Sequence, residues 1–361
     1  MSRRDPRQHQ DWLDQVVEPA IDPERPLCDP HHHLWQRPDS VYMLDELRAD
    51  TGSGHRVTST VFVECAAFYR DEGTPSERAL GETEAVAAVA AESESVGDSD
   101  DDGGSGDTGG TGATDGAVVR GIVGFVDLTL GDAARPLLEQ HLALAGGRFR
   151  GIRHAAGWDA SPEVANSHTD PPRDLYARPD FRRGAALLGE MGLLCETWQY
   201  HTQLAGEEGL EGLVRATPGT TFVLDHCGGP IGIGPYAATR TTSELDRWRR
   251  GIDAVAPLPN VVCKLGGILM PRNGFGFHLR DAPPGSEEIS DSIAPWIEHC
   301  LGRFGAERCL FESNFPVDRL SCSYVMLWNA FKRLIADLDD DTKDLLLRRN
   351  AERIYRLADG S

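Results

Sequence analysis

Eight short apolar runs punctuate the chain, near Leu27 to His33, Thr58 to Ala67, Arg120 to Thr129, Phe149 to Ala155, Gly192 to Gln199, Thr221 to Gly228, Asn260 to Gly267 and Arg308 to Phe315. Their length and Val/Ile/Leu/Phe content predict strands buried on both faces. Seven segments repeat apolar residues at three and four, the helical period: Glu77 to Ala91, Ala133 to Ala145, Arg182 to Met191, Leu204 to Ala216, Ser243 to Ala256, Ser290 to Phe304 and Tyr324 to Leu338. Strands joined by helical crossovers call for a parallel sheet, and eight repeats close most simply into a single α/β domain, a (β/α)8 TIM barrel. An open doubly wound sheet is the alternative, but no Gly-x-Gly-x-x-Gly turn follows the first strand. The barrel is expected over 27–361, behind an N-terminal arm, 1–26. Residues 92–116 carry eight acidic side chains, no basic one and many Gly, Ser and Thr, so they are expected to form a disordered acidic insert. The insert follows the second helix and so falls on the face opposite the strand C-termini. The long loops at 156–180 and 268–289 are expected to cover a substrate.

Charge narrows the partners. The 57 acidic residues against 36 basic ones give a net charge of -21, which argues against nucleic acid and anionic membrane, since both demand clustered positive charge. Lys264, Lys332 and Lys343 are the only lysines. An acidic, lysine-poor surface predicts a halophile's salt-rich interior, where screening suppresses self-repulsion; an acidic mesophilic protein is the alternative. The eight cysteines form no C-x-x-C pair and six lie in strand runs, so they are expected to be reduced and packed. The start, Met1-Ser2-Arg3-Arg4-Asp5, leads into a polar stretch without an apolar leader core, and no run is long enough to cross a bilayer. A cytoplasmic location is expected, and an oligomer is compatible with the pattern.

The candidate chemistry sits where barrels place it, at the strand C-termini. There the runs end in His31 and His33, Glu64, Asp127, Arg153 with His154, Glu196 with Gln199, Asp225 with His226, Lys264, and Glu312 with Asn314. Side chains alternate along a strand, so His31 and His33 are expected on one face, with Asp29 two residues earlier on the same face. A purely structural barrel has little reason to bury so many polar groups at a few kcal/mol each. For any single one, a satisfied hydrogen bond is the commoner explanation. Trp35, Trp158, Trp198, Tyr200 and Tyr236 near the strand ends are read as loop packing before ring stacking. Gly228-Gly229 and Gly266-Gly267 are read as turn residues or as points of close backbone approach.

The ordered motifs DPHHHLW, STVFVEC, GIVGFVDL, RGIRH, FVLDHCGGP, NVVCKLGG and RCLFESNFPVD resemble the amidohydrolase superfamily, and within it the amidohydrolase-2 branch that includes sugar lactonases and pyrone-dicarboxylate lactonases. The resemblance covers about Leu27 to Leu357. It implies a reacting carbonyl surrounded by the first-strand H-x-H, a sixth-strand His and an eighth-strand Asp, with a divalent metal in many members and none in some lactonases. By position these are His31, His33, His226 and Asn314. Asn314 departs from the pattern, because an amide can neither act as a general base nor offer a metal a carboxylate. Glu312, two residues earlier on the same face, is the nearest substitute and ranks ahead of Asp318; an ion pair with Arg153 or Lys264 is its structural alternative. His31, His33, His201 and His226 are the candidate ligands of one divalent ion, Zn2+ first, with metal-free chemistry as the alternative.

The resemblance thus implies a hydrolase that opens a small lactone or related acyl bond by water attack. His31 and His33 would hold the metal or the developing oxyanion, and His226, steadied by a neighbour such as Asp225, would be the acid-base group. Arg153, His154, Gln199 and Lys264 would bind a carboxylated or sugar-derived substrate, with Arg153 gripping a carboxylate. Two rival readings are a metal-dependent decarboxylase of the same superfamily and a catalytically inactive, ligand-binding barrel.

Overall fold

In the computed structural model, which describes residues 6–95 and 118–357, the eight apolar runs become eight parallel strands in chain order. They are β1 (Leu27–His32), β2 (Val57–Val63), β3 (Val118–Gly124), β4 (Phe149–Arg153), β5 (Leu194–Thr197), β6 (Phe222–Leu224), β7 (Val261–Gly266) and β8 (Cys309–Glu312). The residues just past β8 close the ring: His33 N–H donates to Phe315 O at 2.8 Å and Asn314 N–H to His31 O at 2.9 Å. A helix follows each strand: α1 (Leu44–Thr51), α2 (Pro75–Ser95), α3 (Arg135–Leu144), α4 (Pro179–Glu190), α5 (Leu210–Ala216), α6 (Ser243–Val255), α7 (Ser286–Phe304) and α8 (Tyr324–Leu334). The molecule is therefore a (β/α)8 TIM barrel.

Three details differ from the sequence reading. The strands stop earlier than expected, β2 at Val63 rather than Ala67, β6 at Leu224 rather than Gly228 and β8 at Glu312 rather than Phe315. Their polar ends leave the ladder through positive-φ residues, Ala66 at 57°, His226 at 55° and Asn314 at 55°, a conformation no strand accommodates. The first connection also holds structure with no clear periodicity, namely α1 and a hairpin of Trp35–Arg37 against Ser40–Tyr42. Finally, Glu92 to Ser95 are the last turn of α2 rather than part of an insert; 96–116 lie outside the described residues. Among the described residues no helix is long and apolar enough to cross a membrane.

Strand alternation sorts the barrel into layers. Outward side chains such as Phe62, Ile122, Ile152, Leu224 and Phe311 join the large core beneath the helices. Inward ones, Cys28, Val61, Val123, Leu194, Val223, Val262 and Leu310, form a separate apolar plug. The terminal helix Asn350–Tyr355 packs against this plug through Ala351, Ile354 and Tyr355. Two residues further along β5 to β8, on the same inward face, come Glu196, Asp225, Lys264 and Glu312, all fully buried. The fold thus sets a charged layer on an apolar floor.

Candidate active site

A bulge in β1 aims the first histidine inward. Asp29 pairs with Thr60 and His32 with Phe62, so three steps on β1 match two on β2. The extra residue turns Asp29 away from the face it was expected to share with His31. Its carboxylate instead accepts from Ser313 N–H at 3.0 Å and from the Tyr324 hydroxyl at 3.0 Å, tying β1 to the chain after β8 and to α8. His31 and His33 do converge, with ring centroids 4.9 Å apart, and the His226 ring lies 4.7 Å from that of His31.

A cavity of about 350 Å³ opens above them at the strand C-termini. His33, Arg153, His226 and Asn314 line it from the strand ends. Loop residues Arg37, Arg272 and Arg319, together with Trp35 and Trp198, line it further out. Four arginines and one carboxylate, Asp39, line the cavity, so cationic side chains outnumber anionic ones there in a chain of charge -21. The first and eighth connections supply most of the wall, whereas the long fourth loop adds His168 and the seventh Met270 and Arg272. Tyr200 packs in a small cluster with Val164 and Ile231, which Tyr236 joins.

His226 is held by a carboxylate from across the barrel. Its Nδ1 lies 2.7 Å from Glu312 Oε1, and its own backbone N–H donates to the same oxygen at 3.0 Å. A carboxylate oxygen only accepts here, so Nδ1 carries the proton and Nε2 keeps its lone pair. The expected partner, Asp225, does not hold this ring; Glu312 does. The left-handed turn at His226 and the positive-φ Gly267 make the approach possible, since a Cβ on Gly267 would sit 1.8 Å from His226 Nδ1. Burial pushes the His226 imidazole below its ordinary range, with Glu312 pulling the other way. Against burial, which would raise it, the contacts with His226 and Lys264 hold the Glu312 carboxyl below the usual range. The pair is thus a neutral imidazole beside a carboxylate. His33 resembles it: Nδ1 lies 2.7 Å from Val63 O, which fixes the proton on Nδ1 and leaves Nε2 an acceptor.

Beneath the cavity the charged layer surrounds His31. Lys264 Nζ lies 2.8 Å from Glu196 Oε2, 3.0 Å from His31 Nδ1, 3.3 Å from Asp225 Oδ1 and 3.7 Å from Glu312 Oε2. Glu312 Oε2 also approaches His31 Nδ1 at 2.7 Å. On the other side Arg153 Nη1 lies 3.3 Å from His31 Nε2 and 3.8 Å from Asp225 Oδ2, while its Nε donates to Glu64 at 2.8 Å. Neither Asp225 oxygen receives a well-directed hydrogen bond, so its pairing with both cations is coulombic rather than directional. Burial raises the Asp225 carboxyl well above its usual range, with Lys264 opposing. Burial would lower the Lys264 ammonium, but Asp225, Glu196 and Glu312 outweigh it and hold the charge on. Tyr355, from the terminal helix, donates its hydroxyl to Glu196 from below.

Several expected site residues stand elsewhere. His201 uses Nε2 on Glu244 at 3.1 Å and Nδ1 on the Ile231 N–H at 3.2 Å, so neither nitrogen is free for the His31 cluster. His154 accepts from Leu128 N–H at 3.3 Å and packs between Phe125 and Phe181, bordering a second cavity. Gln199 accepts from the Tyr176 hydroxyl, and neither it nor Lys264 borders the main cavity. Asn314 does border it, with Nδ2 donating to Asp318 at 3.1 Å. Asp318, raised to about 8 by burial, is spent on that amide and on the Leu269 N–H. Sequence reasoning missed Arg37, Arg272 and Arg319, which sit in the connections between barrel strands and helices, where no barrel-strand end marks them. Nothing in the sequence marks them, since positions 37, 272 and 319 lie far apart in the chain and meet only in the fold.

For a divalent ion, His31, Asp225 and His226 offer ligand atoms within 4.8 Å of one another, a set right in kind for zinc. The cations beside His31 work against it. Zinc–nitrogen bonds run about 2.1 Å, so an ion on the Nδ1 lone pair would collide with Lys264 Nζ, and one on Nε2 with the Arg153 guanidinium. With both side chains in place the residues do not fit a metal on His31.

A model of the amidohydrolase family Amidohydro_2 matches residues 28–357. The uncharacterised protein y4mH of Sinorhizobium fredii (strain NBRC 101917 / NGR234) is 28% identical over 345 residues, 92% of this chain and 98% of that one. An L-fucono-1,5-lactonase of Burkholderia multivorans (strain ATCC 17616 / 249) is 28% identical over 211 residues, 58% of this chain and 62% of the lactonase. Among solved structures, an amidohydrolase from Burkholderia multivorans with bound zinc superposes with a TM-score of 0.65 at 21% identity, covering 91% of this chain and 99% of that chain. With the family model spanning nearly the whole barrel, the chain belongs to the amidohydrolase family Amidohydro_2.

Proposed function

We propose that the protein hydrolyses a small cyclic ester bearing a carboxylate, with water as nucleophile and His226 as general base. The observation that carries this reading is the 2.7 Å contact between His226 Nδ1 and Glu312, which leaves an unprotonated Nε2 at the cavity beside Arg153. A water held by Nε2 loses its proton as its oxygen bonds to the ester carbon. The carbonyl oxygen becomes an oxyanion facing the Arg153 guanidinium, a cation fixed in place by Glu64. As the tetrahedral centre collapses, the ring C–O bond breaks and the His226 imidazolium returns its proton to the leaving oxygen, giving a hydroxy acid. Glu312 never touches substrate; it is a positioning residue that sets the tautomer and steadies the imidazolium. His33, with Nδ1–H committed to Val63, is an acceptor for a substrate hydroxyl rather than an oxyanion donor.

Arg37, Arg272 and Arg319 favour an anionic substrate, because guanidinium forks match carboxylates in geometry and charge. The likeness to an L-fucono-1,5-lactonase supports a lactone as the reacting group. The test is a panel of sugar-acid and dicarboxylate lactones beside neutral lactones, assayed by proton release at high salt. Turnover of carboxylated lactones is expected. Release of CO2 from aromatic hydroxy acids with no lactone opening would replace this reading with the decarboxylase, and tight binding of one lactone without turnover would replace it with a binding barrel.

A further inference from the structure

We propose that Lys264 and Arg153 are resident cations that occupy the place of a divalent metal, so that the chain keeps its His31–Asp225–His226 cluster closed to metal ions. Three observations carry this. Each His31 ring nitrogen faces one of the two cations, Nδ1 towards Lys264 at 3.0 Å and Nε2 towards Arg153 at 3.3 Å. The two Asp225 oxygens face the same pair, Oδ1 towards Lys264 and Oδ2 towards Arg153. Both cations are anchored from behind, Lys264 by Glu196 at 2.8 Å and Arg153 by Glu64 at 2.8 Å, so neither is a surface chain folded in by chance. Glu196 is itself fixed from below by the Tyr355 hydroxyl.

The division of labour follows from position. Lys264 is fully buried and lies off the cavity, so it neutralises the cage without touching substrate. Arg153 borders the cavity and presents the positive charge that a metal would otherwise present to a developing oxyanion. The same ligand types without these cations would form an open three-ligand site. The inference concerns the cage alone and stands whichever substrate the cavity takes.

The test uses the full chain, with Zn2+ and Co2+ as probes and metal content after desalting as the readout. The wild type is expected to retain no stoichiometric metal, and chelation is expected to leave its thermal midpoint unchanged. Lys264→Met or Arg153→Met removes one of the two cations; a neutral imidazole carries a single lone pair, so the variant that uncovers the nitrogen bearing it is the one opened to an ion. At least one of these variants, shown folded by near-ultraviolet circular dichroism, is expected to retain one equivalent of Zn2+. That variant should also show the visible absorption of Co2+ bound to nitrogen and oxygen, and a thermal midpoint that rises with Zn2+, as it must when a ligand binds only the native state. One equivalent held by the wild type and lost in His31→Ala overturns the proposal. So does a pair of folded variants that both remain metal-free. Because metal content is read without any substrate, a failure here is distinct from a failure of the lactonase reading.

Discussion

At the residue scale, the decisive pair is His226 with Glu312, and the two make different contributions. Glu312 raises the affinity of His226 for a proton, while burial lowers it more. Removing the carboxylate charge in Glu312→Gln therefore has two effects of known sign. The general base loses its fixed tautomer, so kcat should fall by about a hundredfold or more, the range for losing an acid-base group. The acid limb of the pH profile should at the same time move to lower pH, because the imidazole becomes harder to protonate. His226→Ala should lower kcat at least as far and abolish that limb. The measurement is kcat/KM against pH for both variants on the best lactone of the panel. An unchanged limb in Glu312→Gln would mean that Glu312 is merely packing. No metal is needed in this account, since the base is an imidazole and the fixed cations are protein side chains.

At the scale of elements, the barrel separates chemistry from recognition. Strand ends supply His33, Arg153 and His226, whereas the first, seventh and eighth connections supply Arg37, Arg272 and Arg319. Arg272 lies over the Trp198 ring at 4.9 Å and donates to the Tyr200 hydroxyl, which together place its guanidinium at the cavity wall. Loss of a charge-assisted contact made equally in ground and transition states raises KM and spares kcat. Arg272→Ala should thus raise KM for a carboxylated lactone by about tenfold, in line with the worth of one such bond, and leave a neutral lactone unaffected. Equal losses on both substrates would place Arg272 in packing instead. This separation also explains what the sequence made legible. Apolar runs and helical periods announced the barrel because they are local. The lysine at Lys264 and the histidines of β1 were visible because strand ends mark them. Three things were not visible, each for its own reason. The bulge between Asp29 and His32 shifts parity by one residue, which turned Asp29 to the wrong side. The Glu312–His226 contact spans 86 residues and depends on the left-handed turn at His226. The hairpin and α1 are too short to show a period.

At the scale of the whole molecule, the question is which electrostatic effect salt removes first. Exposed ion pairs such as Arg183 with Asp132 and Glu190, or Arg349 with Asp341, contribute little individually and weaken with screening. Opposing them is the self-repulsion of a surplus of 21 negative charges, which acts over the entire surface and also fades with salt. Two of the three lysines are not available to offset it: Lys264 is inside the barrel, and Lys332 donates to the Ile21 and Asp22 carbonyls at 2.9 Å and 2.7 Å. The Debye length falls from about 10 Å at 0.1 M to about 3 Å at 1 M, shorter than most spacings between like charges but close to that of a formed ion pair. Repulsion is therefore lost before attraction. The thermal midpoint should climb steadily as KCl is raised from about 0.1 M to 1 M and beyond. Sucrose at matched osmolality, which acts by exclusion from the surface rather than by screening, should reproduce only part of the rise. A midpoint that is flat or falling in KCl would mean that the acidic surface is already balanced by its ion pairs, and the reading of a protein built for a salt-rich interior would fall with it.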